Sequence, residues 1–375
     1  MTIVIDATPA IQQQGGIGRY VEELARSVAQ ELAGEELRLF SSDPRRTSPH
    51  PPLDSLARTD HPRPAKFWRA SVACATWTGH AMDDVVGPGD VFHATDHVLP
   101  PFRRKASVFT LYDLTHLIAP ETQTAPNRAF LRAMIPRFLK NADLVVAISE
   151  STRLGALEHY DLEPSKIRTV LLGTPRGMEP VAPALRDEVR RRLGLPPEYL
   201  LCVATFEPRK NHALLFRALA ELGDSSARLV LVGKRGWKHE EIQQALARSG
   251  VAQQVMLLEN VANADLPAIY SGAELFLFPS LYEGFGFPIL EAMACGTPVL
   301  ASNASSLPEV AGGAARLLPT DDASAWAAAI RELRDDAAAR DTMRRRGLER
   351  ARELTWERTA RATLALYREA HDRRS

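Results

Sequence analysis

Short, mostly apolar runs alternate along the chain with longer segments in which apolar positions recur every three or four residues. The runs fall at 2–7, 37–40, 91–93, 108–111 and 144–148, then at 199–203, 228–231, 255–258, 275–278 and 299–301. Runs this short predict strands, and because they are apolar at most positions rather than at alternate ones they predict strands covered on both faces. The intervening segments predict helices: Ile17, Tyr20, Val21, Leu24, Val28 and Leu32 form one stripe over 17–32. Strand and helix alternating from end to end predict an α/β fold built on parallel sheets. Two proline-rich stretches interrupt the pattern. GTPRGMEPVAP at 173–183 predicts a linker, residues 173–185, between an N-terminal domain (1–172) and a C-terminal domain (186–355). Residues 44–64 predict a surface loop. No sequence repeat relates the two halves.

Composition narrows the class of partner. A chain of 375 residues is too long for one hydrophobic core, in keeping with two domains. Lys and Arg number 46 against 46 Asp and Glu, so the chain offers no global field to a nucleic acid, and an anionic ligand must be bound locally. Cys74, Cys202 and Cys295 are scattered and odd in number, which excludes a disulfide framework or a Cys-rich zinc site and fits a reducing cytoplasm. The start, TIVIDA, reads as a buried strand and lacks the basic and apolar regions of a signal peptide. No apolar run approaches the roughly 20 residues of a spanning helix.

The most informative segment is SLYEGFGFPILEAMACGTP at 280–298. It follows an apolar strand, at the strand end where open α/β sheets bind ligands. Gly284 and Gly286 permit a tight turn, Pro288 suits a first helical position, and the N–H groups of Phe287, Ile289 and Leu290 are the donors of a helix start. Such an end accepts an anion. Glu283 before the helix and Glu291 one turn inside it suit sugar and ribose hydroxyls on either side of a diphosphate. The same residues also read as a plain turn whose carboxylates favour a helix N-terminus by ~0.3–1 kcal/mol each. CVATFEPRKNHA at 202–213 repeats the strand-to-helix arrangement, with Arg209 and Lys210 at a helix end that disfavours cations unless an anion compensates. LVGKRGW at 231–237 places another glycine at a strand end. Gly15, Gly16 and Gly18 precede the first long helix and predict a flexible loop; the third glycine of a dinucleotide fingerprint is absent, since Val21 occupies its place.

Together these segments resemble family 4 of the retaining glycosyltransferases with the GT-B fold: the pair Glu283…Glu291 matches its E-x7-E motif. The runs EGFGFPILEAMACGTPV, EPRKN, GKRGW and SSLPEV match its context, and the resemblance spans essentially the whole chain. Within the family the chain is most similar to bacterial mannosyltransferases of O-antigen and other surface polysaccharides. The resemblance implies two Rossmann-like domains with parallel sheets facing a central cleft, and a final helix, 356–375, returning to the N-terminal domain. It implies that Gly15, Gly16 and Gly18 close on the donor diphosphate and that Lys210, with Arg209, neutralises it. Glu283 would hold donor sugar hydroxyls, and Phe285, Gly286, Phe287, Pro288, Ile289 and Leu290 would receive the phosphate. Glu291 would hold the ribose. The donor implied is a GDP-hexose such as GDP-mannose, and the acceptor a saccharide or lipid-linked saccharide. A UDP-sugar donor or a non-catalytic nucleotide-sugar-binding subunit are the alternatives.

Two departures shape the residue roles. Relatives often carry an Arg five or six residues before the diphosphate Lys; here Ala204, Thr205 and Phe206 stand there, and Thr205 would substitute. Relatives often place a catalytic His after the strand equivalent to 108–111; here Tyr112 and Asp113 follow it, so Asp113 is expected near the reacting centre with Tyr112 and His116 in support. His93 and Asp96, after the strand 91–93, are acceptor-side candidates. No D-x-D triplet occurs, and no metal or other cofactor is expected. The expected location is the cytoplasm, with possible contact at the inner face of its membrane through 127–140, where basic and apolar residues interleave.

Overall fold

The computed structural model describes residues 1–12, 15–42 and 53–374. Seven parallel strands form one sheet: β1 (Thr2–Asp6), β2 (Glu36–Ser42), β3 (Arg58–His61), β4 (Val91–Ala94), β5 (Ala106–Leu111), β6 (Leu144–Ala147) and β7 (Ile167–Thr169). Six more form a second: β8 (Leu200–Val203), β9 (Leu229–Gly233), β10 (Val255–Glu259), β11 (Leu275–Phe278), β12 (Val299–Ser302) and β13 (Arg316–Leu318). The strand orders are β3-β2-β1-β4-β5-β6-β7 and β10-β9-β8-β11-β12-β13. Each sheet starts at its centre, grows to one side, then restarts on the other. The halves share an architecture that no sequence repeat announces.

The apolar runs become strands because burial on both faces repays their composition. Every position of β4, β5, β6, β11 and β12 is buried. Three strands had no apolar run to mark them: β3, β7 and β13. All are sheet edges, half-exposed, and β3 (RTDH) is wholly polar. The expected loop 44–64 therefore contains a strand; its part up to residue 52 lies outside the described residues.

The chain divides into two compact units. Unit 1 comprises Met1–His116, Ala125–Gly173 and Thr355–Ser375; unit 2 comprises Leu117–Thr124 and Thr174–Leu354. The helix Pro183–Leu193 starts inside the stretch expected as linker, with Pro183 fitting its first turn, where no N–H is needed. The last helix, Trp356–Asp372, belongs to unit 1. It packs along the helix Gly15–Glu31, with the Tyr20 and Trp356 rings 6.2 Å apart, and Arg361 pairs with Glu31 at 2.7 Å. The stripe read in the sequence is the buried face of Gly15–Glu31: Tyr20, Val21, Leu24 and Val28 are all in the core.

Candidate active site

In unit 2 the strand order reverses between β8 and β11, which pair directly, Leu200 beside Leu275. A crevice opens outside the carboxyl ends of two such strands because their chains leave in opposite directions. The loop after β8 passes so close to β9 that a Cβ on Gly233 would collide with the Ala204 carbonyl oxygen. A single 3-10 turn, Pro208–Lys210, follows, and Asn211 at φ +56° turns the chain into the helix His212–Leu222. The Asn211 amide donates to the carbonyls of Pro279 (3.2 Å) and Thr320 (2.8 Å), and the Leu281 N–H donates to the Arg209 carbonyl (2.9 Å). The two loops are thus fastened to each other.

That fastening brings Arg209, Lys210 and Glu283 together. Glu283 Oε1 accepts from Lys210 Nζ at 2.5 Å and from Ser280 Oγ at 2.5 Å, while Oε2 accepts from Arg209 at 3.0 Å. Arg209 also donates to the Tyr282 carbonyl (2.6 Å) and to Glu207 (2.8 Å). Lys210 Nζ stands 5.4 Å from the centre of the Phe278 ring. The backbone of the turn is held as firmly: the Glu283 N–H donates to Ser305 Oγ (2.8 Å), and Ser306 Oγ donates to the carbonyls of Glu283 (3.0 Å) and Phe285 (2.7 Å). Burial alone would push the Glu283 carboxyl up, but the charges of Lys210 and Arg209 and their hydrogen bonds outweigh it and hold it at about 2. Burial pulls Lys210 down, against the pull of Glu283 upward. The two cations the sequence assigns to an anion are therefore partnered by two carboxylates of their own chain, Glu283 and Glu207.

The helix Phe287–Ala294 begins at Gly286, whose φ of +114° and contact with Leu307 leave no room for a side chain. Pro288 is its second residue rather than its first. The Ile289 N–H, expected as a free donor, is taken by the Gly286 carbonyl at 3.1 Å. Phe285 and Phe287 meet edge to face at 5.3 Å. Glu291 is buried one turn in, where its Oε2 accepts from the Tyr270 hydroxyl at 2.7 Å. Thr205 is exposed, its carbonyl taken by the Glu207 N–H at 2.9 Å, and its methyl lies where Gly236 admits it.

Unit 1 has its own reversal, between β1 and β4. There the structure gathers Asp6, Asp96, His97, Tyr112 and Asp113. Asp6 Oδ1 accepts from the Thr8 N–H at 3.0 Å, and the Thr95 hydroxyl donates to the Asp6 carbonyl. Burial and the neighbouring Asp96 push the Asp6 carboxyl up to about 7. Burial also raises Asp96, against Arg69 at 3.4 Å. Tyr112 is buried, its hydroxyl donating to the Thr95 carbonyl (2.6 Å), and its ring meets His97 at 5.2 Å. Asp113, half-exposed, accepts from the Thr115 N–H at 2.9 Å. His116 is buried and bonded to the Tyr160 hydroxyl at 2.7 Å, and burial lowers it to about 4.

Two expectations are corrected here. His93 is fully buried between the Tyr367 hydroxyl and Thr110 Oγ1, both at 2.7 Å, and burial lowers it to about 3. It ties the last helix to the sheet and is closed to an acceptor. Gly15, Gly16 and Gly18 are not a loop: Gly15, at φ +55°, opens the helix, Gly16 is exposed and Gly18 is buried within it. The sequence also hid several partners. Ser280, Ser305 and Tyr270 are recognised only by what they hold, and Asp6 carried one signal, a charge ending an otherwise apolar strand.

Residues 186–350 match the description "Glycosyl transferases group 1" and residues 14–175 match "Glycosyltransferase Family 4". The chain belongs to this family and is a hexosyltransferase. It is 29% identical over 385 residues to the O-antigen chain mannosyltransferase B of Escherichia coli, covering 98% of this chain and all of that one. It is 31% identical to a D-inositol 3-phosphate glycosyltransferase of Kineococcus radiotolerans, over 97% of this chain and 92% of the other. Its fold is also that of Anabaena HepE, solved with UDP and glucose: TM-score 0.73, 18% identity, 97% of this chain and 99% of that one. The fold is GT-B, as the sequence motifs imply.

Proposed function

We propose that this glycosyltransferase transfers an α-mannosyl or related hexosyl group, with retention, from a GDP-sugar to a saccharide or lipid-linked saccharide in surface-polysaccharide assembly. The observation that carries the reading is the Arg209–Lys210–Glu283 cluster at the carboxyl ends of β8 and β11. The diphosphate supplies the negative charge that Glu283 supplies here, so Arg209 and Lys210 pass from the carboxylate to the phosphates. Glu283, released, turns to the hydroxyls of the donor sugar and holds it for reaction. As the glycosidic bond breaks, charge grows on the leaving diphosphate, and two preplaced cations stabilise it. Glu291 serves the ribose, with Tyr270 orienting it. Asp113, half-exposed in unit 1, is the residue we assign to catalysis from that unit. Charge neutralisation by Arg209 and Lys210 makes a metal ion unnecessary.

The E. coli relative named as a mannosyltransferase supports the mannosyl donor; HepE, solved with UDP and glucose, supports a UDP-sugar as the second reading. The test is donor turnover. GDP-mannose should be consumed by the wild type, in chelator as well as without it, and Glu283→Ala should abolish consumption. Preference for UDP-glucose would install the second reading, and turnover of neither would overturn both donor assignments. Proton NMR of the product should show the α anomer; a β product would remove retention.

A further inference from the structure

The helix Ala125–Asn141 contains the interleaved basic and apolar segment read in the sequence, but its apolar face is spent. Leu131, Met134, Ile135, Phe138 and Leu139 are buried, with Phe138 5.9 Å from Phe109 of the sheet. What that helix turns outward is basic: Arg132, Arg137 and Lys140 are exposed. The apolar partner for this charge comes from a different helix. Ala65–Thr78 buries Trp68, Val72 and Ala75 and turns Phe67 and Trp77 outward, each 65% exposed. These are the most exposed large apolar side chains among the described residues. The two helices touch: the Arg137 guanidinium lies 5.7 Å from the centre of the Trp77 ring, and Arg69 lies as far from Phe130. In a chain with equal numbers of acids and bases, their sequences hold six Lys or Arg and not one Asp or Glu.

We propose that these two helices of unit 1 form a docking surface for an anionic lipid bilayer. Phe67 and Trp77 enter the headgroup boundary, while Lys66, Arg137 and Lys140 engage lipid phosphates. Aromatic side chains settle at the interface between water and hydrocarbon, and a basic rim draws them to a negatively charged leaflet. Neither term suffices alone: two rings bury little area, and three to six cations hold only while salt is low. Their adjacency is what makes the surface selective for an anionic membrane over a neutral one. The proposal is independent of the donor assignment and survives its failure.

Cys74 lies on the same outward face, exposed, whereas Cys202 and Cys295 are buried, so one thiol can be labelled in the otherwise unaltered protein. A polarity-sensitive fluorophore there should shift to the blue with vesicles containing phosphatidylglycerol and not with pure phosphatidylcholine. In co-sedimentation, Lys66→Ala/Arg137→Ala/Lys140→Ala should lower partitioning about a hundredfold, at roughly 1 kcal/mol per cation. Phe67→Ser/Trp77→Ser should retain only a salt-labile residue of binding. Both variants should keep the wild-type melting temperature and donor binding, since the altered side chains are exposed. Equal partitioning of the triple variant, or equal binding to neutral vesicles, overturns the proposal. So does a protein dimer lost in Phe67→Ser/Trp77→Ser, which would show a second copy covering this face.

Discussion

Individual side chains show how charge is stored before it is used. Lys210 and Glu283 are buried together, and removing Lys210 leaves the buried Glu283 carboxylate with Arg209 as its remaining cation and one oxygen short of a charged partner, a costly change for an ion pair in the interior. Lys210→Met should destabilise the protein by about 2–4 kcal/mol in denaturant unfolding, and adding Glu283→Gln should recover part of that loss. Simple additivity of the two substitutions would show that they do not interact. Asp6 provides a pH test. Its carboxyl is raised from 3.8 to about 7 by burial and by Asp96, with Arg69 beyond it. A raised carboxyl contributes stability that is complete below the unfolded value and lost as pH rises through the folded one. Asp6→Asn keeps an acceptor for the Thr8 N–H and removes the titration. Between pH 4 and pH 7.5 it should therefore gain on the wild type by on the order of 3 kcal/mol. A difference that does not change with pH would contradict the assignment.

Single elements explain what could be read from the chain and what could not. Central strands announced themselves because burial on both faces demands apolar residues throughout, as in β6 and β11. The edge strands β3, β7 and β13 escaped because one side of an edge faces other surroundings and tolerates polar residues. The clustering of Arg209, Lys210 and Glu283 was equally legible, because all three sit in loops that follow central strands. His93 misled because position after a strand does not reveal whether a side chain points to a crevice or, as here, to Tyr367. The turn into Phe287–Ala294 is the element most open to test. Gly286→Ala places a Cβ at φ +114° against Leu307. A loss of about 2 kcal/mol or more in unfolding free energy, with weakened nucleotide binding in calorimetry, is expected. Unchanged values of both would mean that the turn has freedom the structure does not show.

Across the whole molecule, chain order and architecture part company. The last helix is made after unit 2 yet completes unit 1, where Tyr367 bonds to His93 and Arg361 and Arg368 pair with Glu31 and Glu35. Tyr367→Phe leaves a buried ring nitrogen without its partner, at a cost of about 1–3 kcal/mol. Amide exchange should quicken in β4 and β5 while β8 and β11 stay protected; equal quickening in both sheets would show that the bond does not belong to unit 1 alone. The balance of 46 bases and 46 acids also acquires a meaning at this scale. No net charge draws a polyanion to the molecule as a whole, and the two cations proposed to meet a diphosphate, Arg209 and Lys210, are held in place by Glu283. Exchange of that carboxylate for the diphosphate is the central claim, and calorimetric titration of GDP and GDP-mannose into the wild type and Glu283→Gln tests it most directly. With the competing carboxylate charge removed, the variant should bind GDP at least as tightly as the wild type and should lose any preference for GDP-mannose over GDP. A variant that loses GDP and GDP-mannose affinity in equal measure would contradict the exchange.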